Sequence, residues 1–129
     1  MDVAKILVID DDRAFRDLAR RMLESAGHSV IEAVDGIEGV KEFKKETPDV
    51  VVADILMPKA DGLDVIRRIL DIRPKAKIIA ISGGGRLSGQ TYLSHARKFG
   101  ACAVLEKPFA PEQFLSLIDS VTPAPEAVS

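Results

Sequence analysis

Tryptophan is absent from this 129-residue chain, and tyrosine and cysteine occur once each. A lone cysteine, Cys102, excludes an internal disulfide framework and points to a reducing, cytoplasmic setting. So few large aromatics leave poor stacking surface for a flavin. Charge of one sign is lacking too: 18 basic residues face 20 acidic ones, a formal net charge of −2, which excludes a strongly basic nucleic-acid binder. The longest apolar runs, such as Ile6 to Ile9 and Val50 to Ala53, fall far short of the roughly 20 residues that span a bilayer. Met1 to Lys5 lacks the basic, apolar and small-residue succession of a signal peptide. With 47% apolar residues, the expectation is one ordinary globular domain over residues 1–121. Thr122 to Ser129, rich in proline and small residues, reads as a flexible tail too short for an output domain.

Short β-branched apolar runs alternate with segments of helical period, the pattern of an α/β fold with a parallel sheet. Strands are expected at Lys5 to Ile9, Ser29 to Ala33, Val50 to Ala53, Lys77 to Ile81 and Cys102 to Leu105. Three of them are apolar nearly throughout, as strands covered on both faces are. The first helix carries one stripe, Phe15, Leu18, Ala19, Met22, Leu23 and Ala26, and Gly27 stops it. Weaker stripes run through Ile37, Val40 and Phe43; Ile66, Ile69 and Leu70; Tyr92, Ala96 and Phe99; and Phe114, Leu117, Ile118 and Val121. All are assigned to the core. Gly36, Gly62 and Gly100 mark helix boundaries, and Pro48, Pro74 and Pro111 fall where a helix ends or starts.

Open parallel sheets bind ligands beyond the carboxyl ends of their strands, and here those ends carry polar groups. The first run finishes in Asp10, Asp11 and Asp12, the third in Asp54 and the fourth in Ser82. The fifth leads through Glu106 into Lys107. Right-handed crossovers place all these ends on one edge. Each residue alone has a plainer reading: Asp12 as an N-cap, Asp61-Gly62 as a turn, Ser82 as loop. Together they are harder to dismiss, because three carboxylates at neighbouring strand ends repel one another unless a cation sits among them. Oxygen-only ligands suit Mg²⁺. Three carboxylates, Mg²⁺ and Lys107 make a site near neutrality, ready for an anionic phosphoryl group.

These residues resemble the response-regulator receiver domain of two-component signalling. The resemblance covers Lys5 to about Val121 and rests on Asp10-Asp11 after a strand, the run from Asp54 through Met57-Pro58 to Asp61-Gly62, the hydroxyl of Ser82, and Lys107-Pro108-Phe109. It implies a doubly wound, flavodoxin-like (βα)5 fold with strand order 2-1-3-4-5. It makes Asp54 the phosphoacceptor and places Mg²⁺ on Asp10, Asp11, Asp54 and the backbone carbonyl of Leu56. It also implies that Ser82 and Lys107 bind the phosphoryl oxygens and that the Lys107-Pro108 bond is cis, as is common in the family. By the same resemblance the expected donor is a histidine kinase or histidine phosphotransfer protein, and the signal is expected to leave by contact with a target protein. His28 and His95 are read as solvated structural residues, not as donors.

Three features depart from the family pattern. Val104, three before Lys107, stands where an aromatic is common, so a rotating ring is not expected there. Gly83-Gly84-Gly85 lengthens the connection after Ser82 and makes it a candidate switch or partner loop. Leu56 and Gly84 offer no polar side chain to position a hydrolytic water, which suits slow self-dephosphorylation. Among other readings, a haloacid-dehalogenase-type hydrolase requires a carboxylate at position 56, and a P-loop requires lysine and a hydroxyl residue after its last glycine, where Arg86-Leu87 stand. A flavodoxin-like cofactor binder shares the sheet but not the stacking residues. A non-catalytic adaptor of the same fold is expected to have lost an acid or the lysine, and none is lost.

Overall fold

In a computed structural model, residues 3–55, 62–82, 96–98 and 100–122 are described. Among the described residues the elements run, in chain order, β1 (Lys5–Ile9), α1 (Arg13–Ser25), β2 (Ser29–Ala33), α2 (Gly36–Glu46), β3 (Val50–Asp54), α3 (Gly62–Ile72), β4 (Lys77–Ser82), β5 (Ala103–Glu106) and α4 (Pro111–Val121). All strand pairs are parallel, in the order β2-β1-β3-β4-β5. This is the expected doubly wound sheet. β3 and β4 each run one residue further than the apolar pattern suggests, so Asp54 and Ser82 are the last residues of their strands. β5 is shifted by one, leaving Cys102 exposed before it.

Alternation builds two cores from the same strands. Leu7, Ile9, Val51, Ala53, Ile78 and Ala80 face one cluster with Phe43 of α2 and Ile66 and Ile69 of α3. Ile6, Val8, Val50, Val52, Ile79 and Ile81 face the other with Ala19 and Leu23 of α1 and Phe114 and Ile118 of α4. Fully burying one such aliphatic side chain contributes about 1.5–3 kcal/mol, so central strands apolar on both faces stabilise the fold most.

Local signals end the helices as read. The Asp12 carboxylate accepts the Ala14 N–H at 2.9 Å and caps α1. Gly27 follows α1 at φ 93°, a left-handed conformation glycine adopts without a Cβ penalty.

Two stripe residues are not core. Leu18 and Ile37 are 52% and 71% exposed, each at the margin of its helix's apolar face. His28 is the opposite correction: it is buried, and its Nδ1 accepts the Ala4 N–H at 2.9 Å. The turn after α1 folds the ring under the start of the chain, where it satisfies a backbone donor ahead of β1. Ala96 is buried as expected, whereas Tyr92, His95 and Phe99 lie outside the described side chains.

Candidate functional site

Register alone brings the polar strand ends together. Ile9 pairs with Ala53, so Asp10 and Asp54, the next residues, leave adjacent strands side by side. Asp54 pairs with Ile81, so Ser82 comes next, and Ser82 pairs with Glu106, so Lys107 follows. The backbone N–H of Lys107 donates to the Ser82 carbonyl at 2.8 Å and ties the β4 and β5 ends together. The strand order reverses between β1 and β3, the point at which open α/β sheets form a ligand crevice.

The acidic cluster is formed as expected. Asp10, Asp11 and Asp54 each offer a carboxylate oxygen, all within 4.8 Å of one another. Asp10 and Asp54 are buried and Asp11 is exposed, so the cluster opens toward solvent on one side. All the side-chain donors are carboxylate oxygens, which fits a hard divalent cation such as Mg²⁺ and not the nitrogen and sulfur preferences of zinc or copper.

Lys107 Nζ lies 2.9 Å from Asp10 Oδ2 and 3.8 Å from Asp54 Oδ2. Its stronger pairing is thus with Asp10, an asymmetry that strand order does not reveal. Asp10 is held on every side. Its N–H donates to the Ala33 carbonyl at 3.1 Å, and its Oδ1 accepts the Asp12 N–H at 2.9 Å. Arg16 Nη1 donates to its carbonyl at 2.7 Å.

Ser82 is fully buried at the end of β4. Val104 is half-buried on β5 and packs against the α2/α3 core. The Lys107-Pro108 bond is cis, as the resemblance implies. Leu56 and Gly83, Gly84 and Gly85 lie outside the described residues, as does Asp61.

Sequence reasoning missed two supports of the site. Arg16, besides reaching the Asp10 carbonyl, donates through Nε to Glu32 Oε1 at 3.1 Å, and Arg20 Nε donates to Glu32 Oε2 at 2.6 Å. Burial pushes the Glu32 carboxyl up, but the hydrogen bonds and charges of Arg20 and Arg16 outweigh it and hold the group below its ordinary value of 4.5. Glu32's hydrogen bond in turn raises Arg20. The signal available was an arginine one turn into a helix that follows an acidic strand end. The second support is Phe15, whose ring lies under Lys107 with Nζ 4.0 Å from its centroid. A phenylalanine in an apolar stripe carries no mark that distinguishes it from core.

Among the described residues, no helix is long and apolar enough to cross a membrane. The sequence model of the response regulator receiver domain matches residues 6–119. The chain is 35% identical over 119 residues to the chemotaxis protein CheY of Thermotoga maritima, covering 92% of this chain and 97% of that protein. It is 37% identical over 114 residues to the response regulator MprA of Mycobacterium leprae, covering 88% of this chain but 49% of MprA, about half its length. A response regulator receiver domain protein from Clostridium thermocellum superposes with a TM-score of 0.84 at 34% identity, covering 92% of this chain and 93% of that one. Chemotaxis protein CheY4 of Vibrio cholerae does so with a TM-score of 0.84 at 26% identity, covering 93% and 99%. With the flavodoxin-like fold and the strand-end acids already in place, this match over nearly the whole length leaves one conclusion: the chain belongs to the response regulator receiver domain family of two-component signalling.

Proposed function

We propose that the chain accepts a phosphoryl group on Asp54 in a Mg²⁺-dependent reaction and signals through phosphorylation-dependent contact with another protein. The observation that carries this reading is the convergence of Asp10, Asp11 and Asp54 within 4.8 Å, with Lys107 bridging Asp10 and Asp54.

Asp10, Asp11 and Asp54 would hold the Mg²⁺, together with the carbonyl of Leu56. When bound, the cation supplies positive charge against the transferring oxygens. An oxygen of the Asp54 carboxylate attacks the phosphorus in line, forming a P–O bond as the P–N bond to the donor's phosphohistidine breaks, and the imidazole nitrogen leaves with the electron pair. Lys107 shifts from its carboxylate partners to a phosphoryl oxygen, and the Ser82 hydroxyl donates to another. Water later cleaves the mixed anhydride to inorganic phosphate and restores the carboxylate, slowly, because Leu56 and Gly84 present no polar side chain to guide it. The donor is a histidine kinase or histidine phosphotransfer protein in the cytoplasm. The phosphorylated form engages a target protein or passes the group on in a relay.

Intact-mass measurement after incubation with a small acyl phosphate tests this. One phosphoryl adduct is expected with Mg²⁺, none without it, and none in Asp54→Asn. An adduct of wild-type yield in Asp54→Asn overturns the phosphoacceptor assignment, and no adduct in the wild type favours a non-catalytic adaptor.

A further inference from the structure

Lys107 is held from two sides by different chemistry. On one side are Asp10 and Asp54. On the other is the face of Phe15, 4.0 Å from Nζ to the ring centroid. Phe15 is only 8% exposed, so its ring is fixed by packing. Phe109 meets it at 6.1 Å between centroids and 83° between planes, an edge-to-face contact. Phe109 in turn lies 5.3 Å from Phe114, which is fully buried on α4. Three aromatic rings thus run from the α4 core to the site, and the last one faces the ammonium.

We propose that Phe15 is a positioning residue for phosphoryl transfer: its ring keeps the Lys107 ammonium over the site while leaving the N–H donors available to the incoming phosphoryl oxygens. This rests on the role given to Lys107 above. The argument is one of hydrogen-bond capacity. An ammonium has three donors on a flexible four-carbon stem, and a site that restrains it only through carboxylates must break those bonds when the phosphoryl group arrives. The negative face of an aromatic ring attracts the cation without accepting a conventional hydrogen bond, so that restraint persists through the exchange of partners. The contact also joins α1 to the residue after β5, across the sheet edge.

The test uses Phe15→Leu, which keeps apolar bulk but removes the ring face, and Phe15→Tyr, which keeps the face. Rates of Mg²⁺-dependent phosphorylation by a small acyl phosphate are followed by intact mass, Mg²⁺ affinity by titration, and Lys107 Nζ order by ¹⁵N relaxation. Phe15→Leu is expected to slow phosphorylation about two- to fivefold, the range a single cation–π contact supports. It should also lower Lys107 Nζ order while leaving Mg²⁺ affinity unchanged, and Phe15→Tyr should restore both rate and order. Wild-type rate and Nζ order in Phe15→Leu overturn the proposal, as does a slowing explained by weaker Mg²⁺ binding with Nζ still ordered. The order measurement needs no phosphorylation. If the wild type forms no adduct, the functional reading fails, while the relaxation data still decide whether the ring restrains Lys107.

Discussion

Lys107 and Asp10, 97 positions apart in the chain, hold each other through a 2.9 Å ion pair at the carboxyl edge of the sheet. The Asp10 side chain is only 1% exposed, so Lys107 is the counter-charge beside a carboxylate largely shut off from water. The pair therefore has a stability role as well as the proposed chemical one.

Removing the lysine exposes that role. Lys107→Met leaves a buried carboxylate beside two others, and a loss of about 1–3 kcal/mol is expected without metal, less than for a fully buried pair because Lys107 is partly solvated. Mg²⁺ should return much of that loss by taking over the counter-charge. Urea denaturation with and without Mg²⁺ measures both. Unchanged stability in metal-free Lys107→Met counts against the ion pair.

Removing an acid should have the opposite sign. Asp11 is exposed and has no ion pair among the described residues, so its charge adds chiefly repulsion toward Asp10 and Asp54. Asp11→Ala is expected to melt at an equal or higher temperature without metal, and to lose Mg²⁺ binding and Mg²⁺-dependent phosphorylation. A Mg²⁺ titration identical to wild type would refute Asp11 as a ligand.

Glu32 predicts a pH dependence away from the metal. Its carboxyl is held below its ordinary value of 4.5 in the fold, so the unfolded chain takes up its proton first as pH falls. The stabilisation from the Arg16 and Arg20 pairs is present above about pH 4.5 and is lost as pH drops through the folded-state value. Glu32→Gln should be less stable than wild type by about 1 kcal/mol at pH 7, and the difference should shrink as pH falls below 4.5 through the lowered folded-state value. Denaturation of both proteins at several pH values checks this. A constant difference across that range would mean Glu32 acts by packing and not by charge.

Phosphorylation is expected to be read out after β4 and not at Val104. Ser82 is buried at the strand end, and its carbonyl is bonded to the Lys107 N–H, so a hydroxyl drawn toward a phosphoryl oxygen pulls on the chain beyond it. Gly83, Gly84 and Gly85 can absorb that change at low steric cost, whereas valine is too small to follow as a ring would. Amide hydrogen exchange with and without the phosphoryl analogue beryllofluoride should show its changes in residues 83–95, reduced in Ser82→Ala. Changes confined to α2 would refute this route.

Much of the site is legible in the chain because Asp10, Asp54, Ser82 and Lys107 each end or closely follow an apolar run, and parallel strands bring such ends to one edge. Asp12 is legible as a cap because its position just before a helical stripe is itself the signal. Arg16 and Glu32 are not, since a charge on a helix or a half-buried strand looks like solvated surface until the opposite charge is placed beside it. His28 looks like a polar turn residue until the chain start passes over it.

Periodicity is a local property, so the order and type of the elements, the two-faced central strands and the candidate acids follow from the sequence by itself. Which groups touch depends on how helices lie across the sheet, and that is settled by packing among residues far apart. Only the tertiary structure decides that Leu18 and Ile37 stay in water and that Lys107 favours Asp10 over Asp54. The same holds for Phe15: the stripe that marks it as apolar cannot tell a ring packed into the core from one that faces a lysine. The seating of α1 against α4 places that ring between the Phe109–Phe114 pair and the charge it meets.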